Sequence, residues 1–106
     1  MVQITSIHLT DLLTGFRALA DPIRVQVLET LGDRELCVCD LCEKLEINQS
    51  KLSFHLKTLK QAHLIQSRQE GRWVYYRLNL TQFALLEGYL AEYQRFSSIL
   101  QAQECQ

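Results

Sequence analysis

Cys37-Val38-Cys39-Asp40-Leu41-Cys42 puts three thiols into six consecutive residues. Thiolate sulfur is a soft metal ligand and a redox-active nucleophile, so such a cluster points to soft-metal, metalloid or disulfide chemistry. Cysteine also serves as a small buried hydrophobe, but polar and charged residues surround this group. Spacing limits what the thiols can do together. A helix turns about 100° per residue, so Cys39 and Cys42 share a face, while Cys37 would point roughly 160° away from Cys39 if the helix ran back to it. The three sulfurs therefore converge on one ion only if residues 37–39 are non-helical or become so. Zinc usually takes four ligands in a tetrahedron. Three local thiols with no histidine beside them favour a trivalent thiophilic centre, arsenite or antimonite, held by a pyramid of sulfurs. Placement at the start of a helix is expected to lower the thiol pKa values. Cys105 is either a fourth ligand for zinc, cadmium or lead, or a tail thiol without a partner.

A second group of residues has nucleic-acid chemistry. The net charge is −1, yet Gln49–Asn79 holds six basic residues against the single acid Glu70, a local charge of +5, leaving −6 elsewhere. Such segregation presents one basic face to phosphates. Gln49, Ser50, Ser53 and His55 stand near the start of a helical segment, where side chains meet base edges in the major groove. Lys51, Lys57 and Lys60 suit phosphate contacts, which position without reading sequence. Arg68 and Arg72 suit backbone or minor-groove contacts from a neighbouring hairpin. His55 has an equally good reading as a packed or capping residue.

The elements that must hold these groups follow from periodicity. Residues 5–20 place Leu9, Leu12, Leu13, Phe16 and Leu19 at helical spacing. Asp21 reads as an N-cap and Pro22 as the first position of a helix over 22–31, with Ile23, Val27, Leu28 and Leu31 inward and Gly32 as its stop. Residues 39–46 form a short helix, and Asn48 caps a second over 49–62 with Leu52, Leu56 and Leu59 buried. This pair has helix-turn-helix spacing. The period then becomes two: 64–69 and 73–78 are strands joined by a turn at Glu70-Gly71. Helical spacing returns from Thr81 to about Leu100, with an apolar stripe wide enough for a dimer interface shared with the first helix. The expected architecture is mainly α with a small β-hairpin: a winged helix-turn-helix in the order α-α-α-α-β-β-α, forming a homodimer. All 106 residues make one domain: dimerisation helices at 1–20 and 81–100, helix-turn-helix at 39–62, wing at 64–78. No apolar run is long enough for a membrane span and no signal peptide is evident, so a reducing cytoplasmic location is expected.

Glu35-Leu-Cys-Val-Cys-Asp-Leu-Cys42 resembles the arsenite-binding box of the arsenic-responsive ArsR/SmtB repressor family. Leu19-Ala20-Asp21-Pro22 with Arg24 resembles that family's second-helix signature, and residues 47–65 with the EGRWVYYRL wing resemble its reading head. The resemblance covers nearly the whole chain. It implies a dimeric repressor, not an enzyme, of the arsenical resistance operon type, which holds operator DNA and leaves it when arsenite or antimonite binds. It also implies that Cys37 and Cys39 are the essential pair, with Cys42 as third ligand. Four departures stand out. The last helix has no His for the family's zinc site; no Cys precedes Cys37, whereas the family's cadmium and lead sensors add N-terminal cysteines; His63 replaces the usual Gly after the reading helix; and Ser50 replaces an early Pro. The rival expectations are a redox repressor that forms a disulfide, a repressor sensing another soft metal, and an interaction module. A Cys-x-x-Cys oxidoreductase would need a βαβ setting, which the pattern lacks.

Overall fold

The computed structural model describes the chain over residues 6–96 and at residue 102. Helix α1 spans Ser6–Leu19 and α2 spans Pro22–Leu31. Asp21 divides them as expected: its carboxylate accepts from Ile23 N at 2.8 Å and Arg24 N at 3.2 Å. These bonds satisfy amides that the first helical turn leaves orphaned. Gly32 ends α2 at φ 52°, which a residue without Cβ takes readily.

Leu36–Cys37 forms a short strand, β1, where a hairpin alone was expected. Helix α3 follows at once over Val38–Leu45, one residue earlier than its pattern indicated, because Cys37 adopts the extended cap conformation, φ −81° and ψ 166°. Helix α4 covers Gln49–Gln61, and Asn48 caps it by accepting from Lys51 N at 2.8 Å. Its C-terminus leads through Ala62 into His63 at φ 63°. There Leu64 N donates to Leu59 O at 3.0 Å, closing the helix end.

Strands β2 (Ile65–Glu70) and β3 (Trp73–Leu78) form the expected antiparallel hairpin. The loop is Gly71-Arg72 instead of Glu70-Gly71, since Glu70 pairs with Trp73. Gly71 stands at φ 62°, in the first turn position where a two-residue hairpin takes glycine. Strand β1 adds to the far side of β3, with Leu36 opposite Tyr76 and Cys37 opposite Tyr75, so the sheet order is β1-β3-β2. Asn79 then ties the wing to its own start: its N–H donates to Leu64 O at 2.9 Å and its Nδ2 to His63 O at 2.8 Å.

Helix α5 runs over Leu80–Gln94, ending short of the expected Leu100. Arg95 N and Phe96 N donate three residues back, to Glu92 O and Tyr93 O, and tighten the end into a turn. Residues 97–101 lie outside the described part, as do residues 1–5 of the expected first dimerisation segment. The core gathers Val27, Leu31, Leu41, Leu52, Leu59, Leu64 and Ile65, all fully buried. It is one cluster shared by α2, α3, α4 and β2, so α3 and α4 have a common support. No described helix is long and apolar enough to cross a membrane.

Candidate thiol centre and nucleic-acid interface

The three thiols sit on two kinds of backbone. Cys37 is the last residue of β1 and the N-cap of α3, without a side-chain capping bond. Cys39 is exposed in the first turn of α3, and Cys42 is half-buried one turn later, packed against the core beside Leu41. Cys37 is thus non-helical, but Val38 and Cys39 already belong to α3, so the non-helical backbone over residues 37–39 that convergence of three sulfurs demands is present at Cys37 alone. No group of three His, Cys, Asp or Glu side chains is gathered to hold a metal ion among the described residues. Burial, and then the nearby Cys39, push the Cys42 thiol above its ordinary pKa. This runs, for Cys42, against the lowering expected from the helix start: desolvation disfavours the charged form of the half-buried sulfur. Cys105 lies outside the described residues.

Helix α4 carries most of the candidate nucleic-acid contacts. Gln49, Ser50, Lys51, Ser53, Lys57 and Lys60 are all exposed. His55 is not among them. It is 6% exposed, with Nδ1 3.3 Å from Arg24 Nη1 and 3.9 Å from Asp21 Oδ1. The reason is its phase: it lies three residues after Leu52 and four before Leu59, inside the buried stripe. Arg24 donates to this ring nitrogen while its Nε donates to Ala18 O at 2.7 Å. The guanidinium therefore fastens α4 to the end of α1 through α2. Phe54, 64% exposed on the outer side of α4, is not among the expected contacts, which are polar or charged residues only.

The two wing arginines differ. Arg68 donates to Glu35 at 3.0 Å and to Glu70 at 2.8 Å, and its guanidinium lies 4.8 Å from the Tyr75 ring centroid. Glu70 first, then Glu35, raise its already high pKa. Arg68 thus braces β2 against the segment leading into Cys37. Arg72 is exposed at the hairpin tip. Lys51, Lys57, Lys60 and Arg72 form no ion pair among the described residues, so their charge is available to phosphates.

A separate apolar surface lies on α1, on α5 and on the turn that follows α5. Leu9, Leu13, Leu85, Leu90, Tyr93 and Phe96 are all more than two-fifths exposed. An open groove of about 580 Å³ between the helices is lined by Phe16, Leu19, Phe83, Leu86 and Leu90.

Residues 21–67 match a family model described as "Bacterial regulatory protein, arsR family". The chain is 51% identical over 65 residues to the arsenical resistance operon repressor of Bacillus subtilis, covering 60% of this chain and 62% of that protein. It is 36% identical over 66 residues to the transcriptional repressor SdpR of the same organism, covering 62% of this chain and 73% of that protein. It spans about three fifths of the length of the arsenic-resistance relatives it matches. The crystal structure of an ArsR family transcriptional regulator superposes with a TM-score of 0.81 at 26% identity, over 95% of this chain and 100% of that one.

Proposed function

The chain belongs to the arsR family of bacterial regulatory proteins, and from that premise we propose that it is an operator-binding repressor released by trivalent metalloid. As a homodimer it occupies double-stranded operator DNA. It leaves when arsenite or antimonite takes the thiols of Cys37, Cys39 and Cys42. Helix α4 enters the major groove with Gln49, Ser50 and Ser53 at base edges, while Lys51, Lys57 and Lys60 hold phosphates. Arg72 meets the backbone or minor groove from the wing tip. Arg68 and His55 act behind this surface, the first bracing the wing and the second seating α4.

The observation that carries this reading is the double duty of Cys37. It is paired with Tyr75 in the wing sheet and it caps α3. The metalloid supplies a centre that takes three thiolate sulfurs. To bring its sulfur to those of Cys39 and Cys42, Cys37 must change the backbone that β1 and the start of α3 share. Helix α3 packs on α4, and β1 on the wing, so both DNA-facing elements feel that change. Linkage then requires operator DNA to weaken metalloid binding by the factor by which metalloid weakens DNA binding, with typical couplings of about 1–3 kcal/mol.

The test is a mobility-shift titration on duplexes recovered from the operon's promoter. Arsenite, antimonite, zinc, cadmium and peroxide are added to wild type and to Cys37→Ser, Cys39→Ser and Cys42→Ser. Release by the trivalent metalloids alone, lost in Cys37→Ser and Cys39→Ser, is expected. Equal arsenite affinity with and without operator overturns the mechanism. Release by peroxide alone moves the switch to a disulfide.

A further inference from the structure

Leu52, His55, Leu56 and Leu59 define the buried side of α4. At about 100° per residue, Ser50, Phe54, Lys57 and Gln61 fall on the opposite side. Phe54 is the one apolar member of that row and is 64% exposed. A lone exposed apolar residue needs no explanation by itself, but the setting of this one is unusual. It sits one turn after Ser50 and one turn before Lys57 and Thr58, in the middle of the surface that faces DNA under the proposed function. Its ring is also supported from behind. The His55 ring meets it edge-on at a centroid distance of 5.3 Å and 77°. His55 is itself seated by Arg24. Phe54 is therefore an aromatic held in place on an otherwise polar reading face, and a ring with two rotatable bonds loses little entropy on docking.

The major groove displays one apolar group on its floor, the C5-methyl of thymine; every other feature there is a hydrogen-bond donor or acceptor. We propose that Phe54 is a specificity-determining residue that packs on a thymine methyl in each half-site. This assignment rests on the operator-binding reading above. It adds an element that Gln49, Ser50 and Ser53 cannot supply, since their polar groups read donors and acceptors only. The phosphate-directed lysines hold any sequence alike, whereas Phe54 discriminates thymine from cytosine at its position.

The experiment uses the full chain and a pool of randomised duplexes. Wild type is first used to select its site. Each thymine of that site is then replaced in turn by deoxyuridine, which removes only the methyl. At the Phe54 position wild-type affinity is expected to fall about fourfold per methyl, the factor equivalent to burying one carbon group at about 0.8 kcal/mol. Phe54→Ala, which leaves the core untouched, is expected to bind the thymine and uracil duplexes alike. Phe54→Leu retains part of the discrimination. Lys57→Ala weakens both duplexes equally and keeps their ratio. If Phe54→Ala keeps the wild-type thymine-to-uracil ratio at every position, or no thymine of the selected site responds, the assignment is overturned while operator binding stands. If wild type selects no sequence from the pool, the operator-binding reading fails and this assignment with it.

Discussion

At the scale of single residues, α4 separates what a pattern reveals from what it hides. Leu52, Leu56 and Leu59 were legible as core because three apolar residues at helical spacing leave one phase for the helix. The same phase carries His55 inward and Phe54 outward, against the usual preference of each side chain. Residue type alone left His55 open between a packed residue and a DNA contact and gave Phe54 no role, so the pattern settled neither of the two adjacent residues. The deciding partner of His55 is Arg24, 31 residues earlier. That contact could not be seen locally, although Arg24 belongs to the motif by which the second helix resembled its family. Arg24 donates to Nδ1, so the ring accepts there and the neutral tautomer carries its proton on Nε2. His55→Ala removes this acceptor and leaves the part-buried guanidinium nitrogen without it. A loss of stability of about 0.5–1.5 kcal/mol is expected, the net range for one intramolecular hydrogen bond. Urea unfolding checks it. The thymine-to-uracil ratio should also shrink, because Phe54 loses its backing, whereas a change in stability alone leaves that ratio intact.

At the scale of elements, capped helices were the most legible parts. Asp21-Pro22 and Asn48 each supply an acceptor at the right offset, and both boundaries fall where those residues placed them. Strand β1 was not legible: two residues carry no periodicity, and their extended form depends on β3, whose partner residues lie nearly forty positions later. This hidden strand is what gives Cys37 its non-helical backbone, so the cysteine positions were readable while their spatial relation was not. His63 was legible as an anomaly, and its φ of 63° places a β-carbon where glycine sits more easily. The cap of α2 also makes a pH prediction. Backbone N–H bonds from Arg24 and then Ile23 are the causes that hold the Asp21 carboxyl below its ordinary 3.8. The ionised form is thus favoured in the folded chain. Its stabilisation is complete above pH 3.8 and is lost as pH falls through the depressed native value. Asp21→Asn keeps a capping oxygen but has no proton to gain. The urea midpoint of wild type is therefore expected to fall more steeply than that of Asp21→Asn between pH 5 and pH 2, with the two curves parallel above pH 5. Parallel curves throughout would show that the cap is indifferent to its charge.

At the scale of the whole molecule, the chain is divided between a polar, basic reading side and an apolar side formed by α1 and α5. The second side was legible as a stripe too wide for one small core. Its width follows from Leu13, Leu90 and Tyr93, which are 43%, 52% and 57% exposed while Leu12 and Leu86 beneath them are buried. Under the proposed function a second copy covers this surface, supplying an identical apolar face by two-fold symmetry. Dimerisation also has a consequence for binding that one reading head cannot produce. Two heads on one rigid body meet half-sites about one helical turn apart, and the second contact becomes intramolecular. Leu90→Glu puts a carboxylate into the interface without disturbing the core, because half of that side chain is already exposed. It is expected to sediment as a monomer with unchanged far-ultraviolet circular dichroism. Its affinity for a duplex with both half-sites should drop by about 100-fold or more, the gain that linked contacts normally provide. On a duplex with a single half-site it should match wild type, since α4 and the wing are intact. A Leu90→Glu protein that remains dimeric and keeps full affinity would place the subunit contact elsewhere and leave the α1–α5 face without its assigned partner.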